Sequence, residues 1–386
     1  MPLQATLFSR LLQQLPWAVF DRAVAEHRMD DGYRILDARS HLVALMAGQL
    51  IEANGLRDIE AVLAAHAPAL ARRRIEPACR STLADANKLR TPEAFEAIIP
   101  ALLAELSPTQ RRRTKNDLRL IDSTVIHPGR GAEGWAHFQN GKVAAKVHVV
   151  YDPKAQVPTF YELTSGNTND ITVAKAAVPI EAGVTYVFDL GYYDFKFWAD
   201  LHQAGCTLIT RLKRNTPVTE IERHPAPSGT NVLSDRIISL PKRLARSRKN
   251  PFSDRGREIV VRIQTGKTIA LFTNDLLSPA AKIADLYKTR WEIELFFRWI
   301  KQNLRVRKYI GTSKNAVRIQ TAIAMLSYII LTIVHLRTGF TMNVQIFTAI
   351  VRQNLFHRTT VRQIIERLKT KTIPHIAEKQ LKMAFA

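Results

Sequence analysis

The chain has 386 residues, 46% of them apolar, and its 56 Lys and Arg against 34 Asp and Glu give a net charge of +22. Two cysteines, Cys79 and Cys206, with no CxxC or Cys/His spacing, argue against a disulfide framework or a structural zinc site. The basic excess points to nucleic acid, an anionic membrane or an acidic partner. It is unevenly spread: residues 1 to 110 hold 12 basic and 13 acidic side chains, leaving 44 against 21 for the rest.

From the N-terminus, Met1 to Leu15 contains Arg10 and lacks an apolar stretch with a small-residue cleavage site, so a cytoplasmic, nucleoid-associated protein is expected. Apolar residues at helical spacing predict helices over Leu3–Leu15, Trp17–His27, His41–Asn54, Leu56–Ala65, Thr82–Lys88 and Pro92–Glu105, with Thr82 and Asp85 as a capping pair. Such a bundle suits a helix-turn-helix that reads a DNA site, with Arg72, Arg73, Arg74, Lys88 and Arg90 on phosphates. A structural or dimerising bundle is the other reading, since its charge is near zero. Ser107-Pro108 and the run Arg111, Arg112, Arg113, Lys115 read as a linker.

The pattern then changes to strands. Leu118–Ile126 is apolar and β-branched with Asp122 in its middle; a buried carboxylate there costs several kcal/mol unless a metal, a cation or hydrogen bonds meet it. Lys142–Tyr151 and Thr159–Leu163, joined at Asp152-Pro153, complete an antiparallel meander. A helix over about 171–181 capped by Asn169-Asp170 leads to a strand at Thr185–Phe188, with Asp189 at its end, where carboxylates of α/β sheets do their work. Asp194 caps a helix over Phe195–Gln203, and Cys206–Thr210 is a fifth strand. His127, His137 and His148 have no paired motif and read as ordinary core or surface residues.

Residues 211 to about 265 are richer in proline and basic side chains, with strand-like Ile237–Leu240 and Glu258–Ile263, and read as an inserted, β-rich, DNA-facing subdomain. Lys267–Thr273 returns to the main sheet. Ser278-Pro279 starts a helix that, with no Gly or Pro before Gly311, should run to about 305. Leu286, Ile293, Phe296, Phe297, Ile300 and Leu304 form its apolar arc, and Tyr287, Arg290, Glu294, Arg298 and Lys301 a stripe along the rim. That stripe is either a set of i,i+4 ion pairs or a metal-binding carboxylate beside a polyanion. The second reading draws on the tract from Leu295 to Ile365, which has eleven Lys or Arg and no acidic residue. Trp291 and Trp299 lie off both stripes and should pack on the insertion or the C-terminal helices. Helices are expected over Ala316–Leu336, Val344–Leu355 and Val361–Leu368; the apolar run from Ala322 to Leu336 is too short and too interrupted for a bilayer and reads as a buried helix.

Three strands, a helix, a strand ending in a carboxylate and a later helix carrying a third is an RNase H-like order, from which Asp122, Asp189 and Glu294 can converge. Three hard oxygen ligands suit two Mg²⁺ or Mn²⁺ ions in phosphodiester chemistry. The fold class expected is therefore α/β: an RNase H-like core over residues 111–310 with the insertion at about 211–265, a helical N-terminal domain over 1–110 and a basic helical region over 311–386.

At this point the chain resembles the DDE transposases of the insertion-sequence-four family. The spacing Tyr287, Arg290, Glu294, Lys301 matches that family's Tyr-Arg-Glu-Lys motif, and Ile121-Asp122-Ser123-Thr124, Phe188-Asp189-Leu190-Gly191-Tyr192, Gly311-Thr312-Ser313 and the stretch Arg80 to Arg90 are similar as well. The resemblance implies that Asp122, Asp189 and Glu294 are catalytic and bind Mg²⁺ or Mn²⁺, and that Tyr287, Arg290 and Lys301 contact DNA. It implies cutting of double-stranded DNA at terminal inverted repeats and joining of 3′ ends to a target, by a homodimer in a synaptic complex and with no membrane involved. Some members pass through a hairpin with a flipped base, for which Phe252 is the one aromatic candidate in the insertion. An RNase H-fold endonuclease without strand transfer, or a catalytically silent DNA-binding descendant, are the rival readings.

Overall fold

The computed structural model describes residues 5–33, 35–71, 74–106, 117–243, 249–303, 309–340 and 343–370. The 107–116 linker, Arg72, Arg73, Leu304 and most of the basic run at 244–248 therefore lie outside the described residues. At the centre is one mixed sheet of nine strands: β1 (Leu118–Ile126), β2 (Ala145–Asp152), β3 (Val157–Ser165), β4 (Thr185–Phe188), β5 (Thr207–Arg211), β6 (Thr219–His224), β7 (Val232–Ser239), β8 (Arg255–Arg262) and β9 (Thr268–Thr273). Their spatial order is β3-β2-β1-β4-β5-β9-β8-β7-β6. β1, β2 and β3 form the antiparallel meander, whereas β4 runs parallel to both β1 and β5. The strands of the proline-rich stretch do not make a sheet of their own, because β9 pairs with β5 on one side and with β8 on the other.

The N-terminal helices are α1 (Leu7–Leu12), α2 (Trp17–Glu26), α3 (Ala38–Leu50), α4 (Leu56–Ala65), α5 (Ala67–Ala71), α6 (Arg80–Leu89) and α7 (Glu93–Ala104). Alternation of apolar and polar residues in β1 sends Leu120 into the core under these helices and Ile121 into the core on the other face. On that other face lie α8 (Asp170–Ala177) and α9 (Phe195–Gln203), the latter capped as expected by Asp194, whose Oδ1 accepts from the Phe197 N–H at 2.9 Å. The chain closes with α10 (Ala280–Lys288), α11 (Trp291–Asn303), α12 (Lys314–Thr338), α13 (Val344–Gln353) and α14 (Val361–Thr370).

α12 is the buried helix foreseen from its apolar run. Its most apolar window is 83% buried, packed on α3, α6, α7 and β3. Arg318 on this helix donates to Glu93 Oε1 at 2.8 Å and Glu96 Oε2 at 2.6 Å, tying the C-terminal part of the chain to α7.

Several local expectations are corrected. Arg90 does not face solvent: it is 2% exposed, donates to the Asp37 carbonyl at 3.0 Å and pairs with Asp30 at 3.2 Å, so it straps α6 to the loop before α3. Burying a guanidinium demands such partners. Thr82 does not cap α6; Cys79 holds the cap position and makes no side-chain cap bond. The helix expected from Pro279 to about residue 305 is two helices, broken at Thr289-Arg290 although neither residue is Gly or Pro. The turn tightens to i→i+3 bonds, with the Arg290 N–H on the Tyr287 carbonyl at 3.1 Å and the Glu292 N–H on that of Thr289 at 2.9 Å. The Thr289 hydroxyl donates back to the Leu286 carbonyl at 2.9 Å, a local side-chain bond of the kind that bends helices. Phe252 is 2% exposed and sits edge-on to Phe272, so it is a core side chain and offers no platform for a base. Trp299 is buried against Tyr328 of α12, as expected for a packing tryptophan, whereas Trp291 is 50% exposed.

Candidate active site

β1 and β4 are paired in parallel up to Ile121 and Phe188, and the next residue on each strand is a carboxylate, Asp122 and Asp189. The fourth strand ends there because Asp189 turns the chain: its Oδ1 accepts from the Gly191 N–H at 2.8 Å. On β1 the Ser123 N–H donates to Asp122 Oδ1 at 2.8 Å. The third carboxylate arrives from the opposite layer. α11 packs on β1 through its apolar face, with Ile293, Phe296 and Ile300 buried, and Glu294 lies in its first turn, where the helix dipole favours negative charge.

Arg290, in the turn between α10 and α11, bridges two of the three. It donates to Glu294 Oε1 at 2.5 Å and to Asp122 Oδ2 at 3.4 Å, with its guanidinium 6.0 Å from the centre of the Tyr287 ring. The turn that ended the long helix is therefore what aims this side chain. The Asp122 carboxyl is pushed up to about 7, by burial first and then by the charges of Asp189 and Glu294, against the Ser123 N–H and Arg290. Burial likewise pushes the Tyr287 phenol up to about 12, against Arg290 and Arg211.

A cleft of about 330 Å³ opens beside these groups, lined by Asp122, Ser123, Thr124, Glu294, Phe297, Arg298 and Lys301. Of the residues singled out from the sequence, Asp122, Glu294 and Lys301 thus line one cleft, while Arg290 bridges two of them. Asp189 and Tyr287 do not line the cleft; Asp189 reaches the site as the charge beside Asp122. Arg298, a member of the rim stripe that the four-residue motif does not include, lines the cleft one turn beyond Glu294 and lies 5.9 Å from the Trp291 ring. Helical spacing was the signal for it. Arg211, close enough to Tyr287 to influence its phenol, stands at the end of β5, the kind of strand-end position that already marked Asp189.

The remaining motif residues shape the surroundings. Ser313 caps α12, its hydroxyl accepting from the Ala316 N–H at 3.2 Å, and the Thr312 carbonyl accepts from Trp135 Nε1 at 3.0 Å. A Cβ on Gly131 would stand 2.5 Å from the Thr312 hydroxyl, so the loop after β1 approaches this segment in a way that a glycine permits. As the side chains stand, no three His, Cys, Asp or Glu among the described residues enclose a metal position. The donor chemistry is nevertheless that of a hard cation: carboxylates, two of which lie close enough to Asp122 to raise its proton affinity, with a guanidinium between Asp122 and Glu294.

Comparison with known proteins gives two family matches: a transposase DDE domain over residues 113–330 and a domain of unknown function over residues 3–72. A Sinorhizobium fredii protein named as a transposase, y4zB, is 37% identical over 287 residues, which is 73% of this chain and 79% of that protein. A Geobacillus stearothermophilus protein named as a transposase for insertion sequence element IS5377 is 28% identical, over 71% of this chain and 72% of its own length. A Synechocystis protein named as a transposase for insertion sequence element IS4SA is 24% identical over 65% of this chain and 70% of its own.

Proposed function

Because the chain belongs to the DDE transposases, divalent-metal-dependent enzymes that work on DNA, we propose that it cuts the terminal inverted repeats of an insertion sequence and joins the freed 3′ ends to target DNA. We assign it to the insertion-sequence-four group on Tyr287, Arg290, Glu294 and Lys301, and read the β3-β2-β1-β4-β5 part of the sheet as an RNase H-like core. The observation that carries the proposal is the placement of Asp122, within β1, beside Asp189, at the end of the parallel strand β4, with the Arg290 guanidinium joining Asp122 to Glu294.

Asp122, Asp189 and Glu294 would hold Mg²⁺ or Mn²⁺, two ions in the full reaction. Bound there, the metal supplies activation of the attacking water or 3′-hydroxyl and charge stabilisation of the phosphodiester. The chain's own residues do the rest. Lys301 and Arg298 line the cleft and neutralise phosphates of the strand held against the carboxylates, and Arg290 presents a planar fork suited to a phosphate. Tyr287, its phenol kept protonated by burial, can donate to a phosphate oxygen. The basic tract that follows extends this surface along the duplex. In this reading the N-terminal helices over 1–110 recognise the element's ends, the strands of 211–265 and the helices of 311–386 flank the DNA, and two copies work together in a synaptic complex.

The test is a supercoiled plasmid carrying the element's ends. Glu294→Gln should abolish metal-dependent nicking while leaving binding to the inverted repeat within a few-fold of the parent; normal cleavage by that variant would sink the assignment. Scoring joined products in the same reaction separates transposition from cleavage alone.

A further inference from the structure

A fourth carboxylate stands behind the site, on the opposite face of β1 from Glu294. Asn169 and Asp170 were expected to cap α8; Asn169 holds the cap position without a side-chain cap bond, and Asp170, the first residue of the helix, turns its carboxylate to the sheet. Its Oδ1 accepts from the Ser123 hydroxyl at 2.7 Å and from Lys146 Nζ at 3.1 Å, with His148 Nδ1 at 3.5 Å. Ser123 is the residue whose N–H donates to Asp122 Oδ1 at 2.8 Å. A two-bond relay therefore runs from Asp170 through Ser123 to Asp122. The other oxygen of Asp170 faces Asp189: a Cβ on Gly191 would stand 3.5 Å from Asp170 Oδ2 and 3.0 Å from Asp189 Oδ1, and glycine leaves that gap open. The Tyr192 hydroxyl, buried and with no hydrogen-bond partner among the described residues, lies within the influence of Asp122, Asp170 and Asp189 together.

We propose that Asp170 is a positioning residue of the active site, which sets the orientation of Asp122 through Ser123 while Lys146 balances its charge beside Asp189. The physical reason is general to metal-binding carboxylates. A ligand whose supporting hydrogen bonds are fixed enters coordination without first losing rotamer freedom, and removal of such a support typically weakens metal binding roughly 10- to 100-fold. Because Lys146 compensates Asp170, the residue adds rigidity without presenting a further uncompensated negative charge. Of the three site carboxylates, Asp122 receives a neighbouring N–H from the serine that is itself tethered across the sheet.

The inference rests on the reading of Asp122 as a metal ligand, and the experiment separates the two. Mn²⁺ binding to the full chain without DNA is followed by the loss of the free-ion electron paramagnetic resonance signal, for the parent, Asp122→Asn, Asp170→Ala, Ser123→Ala and the Asp170→Ala/Ser123→Ala pair, with the exposed Asp200→Asn as control. Asp170→Ala and Ser123→Ala should each weaken Mn²⁺ binding roughly 10- to 100-fold, and the pair should be no weaker than Asp170→Ala alone, as expected for one relay. The Mn²⁺ concentration for half-maximal nicking should rise in parallel while maximal nicking at saturating Mn²⁺ falls less. Unchanged Mn²⁺ affinity in Asp170→Ala alongside impaired binding by Asp122→Asn would overturn the role of Asp170 alone. Parental affinity in both would overturn the metal reading and the relay with it. If Asp170→Ala fails to fold, Ser123→Ala decides, since losing one hydroxyl leaves the Lys146–Asp170 pair in place.

Discussion

Replacing Asp122 by Asn in the metal-free protein should make the chain more stable at pH 8 and have little effect near pH 4. Burial, with Asp189 and Glu294 nearby, moves this carboxyl from 3.8 to about 7 on folding. The unfolded chain thus releases its proton near pH 4 while the folded chain keeps it to about pH 7, so the folded form binds more protons across that interval. Stability contributed by this group is full below about pH 4, falls as pH rises to about 7 and stays lost above it. Each tenfold change in proton affinity is worth about 1.4 kcal/mol, so the rise from 3.8 to about 7 puts the loss at about 4 kcal/mol for a side chain that is 19% exposed. Asparagine cannot ionise and escapes that loss, giving up the 3.4 Å contact from Arg290 in exchange. The assay is urea unfolding in EDTA at pH 4.5, 6 and 8, followed by fluorescence of the buried Trp198 and Trp299. His41 and His148, lowered by burial to about 3 and about 4, add stability that is lost as pH falls, but equally in both proteins. A gap between parent and variant that is the same at all three pH values, or an Asn variant weaker at pH 8, would refute the reasoning.

Arg298→Ala and Lys301→Ala should each weaken binding to a labelled duplex and lower the slope of log affinity against log salt by about one, as for the loss of one phosphate contact; an unchanged slope removes that residue from the DNA path. Gly256→Ala should cost about 1–3 kcal/mol, since its Cβ would meet Phe272 ring atoms at 2.2 and 2.5 Å and that ring is stacked on Trp198. A melting temperature equal to the parent's would show that the ring can yield. Arg257→Met should cost about 3–5 kcal/mol, because it leaves Asp235, 5% exposed, as a buried charge without its 2.6 Å partner; restoration by Asp235→Leu in the same chain checks the cause.

The limits of two strands were readable to the residue, while the other expected strands shift by one to five residues at one or both ends. Leu118–Ile126 and Thr185–Phe188 form over the expected spans, because a buried strand needs an apolar run; the second stops at Asp189, whereas the first runs on through Asp122, which Arg290 and the Ser123 N–H meet. The same pattern placed Asp122 within one strand and Asp189 at the end of the other, and helical spacing put Glu294 and Lys301 on one rim. The contacts that hold these residues were not readable. Nothing in the letters around Thr289 and Arg290 announces a break, which depends on a threonine hydroxyl and tightened bonds that form once α11 is pressed on β1. Trp299 was assigned outside the apolar arc, and its burial follows from α12 packing on a second side of the helix. Asp170 read as a helix cap because its partners Ser123 and Lys146 are 47 and 24 residues away, on strands whose alternation brings them to its face.

By itself, the sequence determined the order of elements, the carboxylates that end or interrupt them and the cations that accompany them, since these follow from local periodicity and from the cost of burying charge. Tertiary structure decided how those carboxylates are held. Arg290 bridges Asp122 and Glu294, Arg298 joins the cleft wall, and Asp170 reaches Asp122 through Ser123, because strand pairing and helix packing bring together groups that are far apart along the chain.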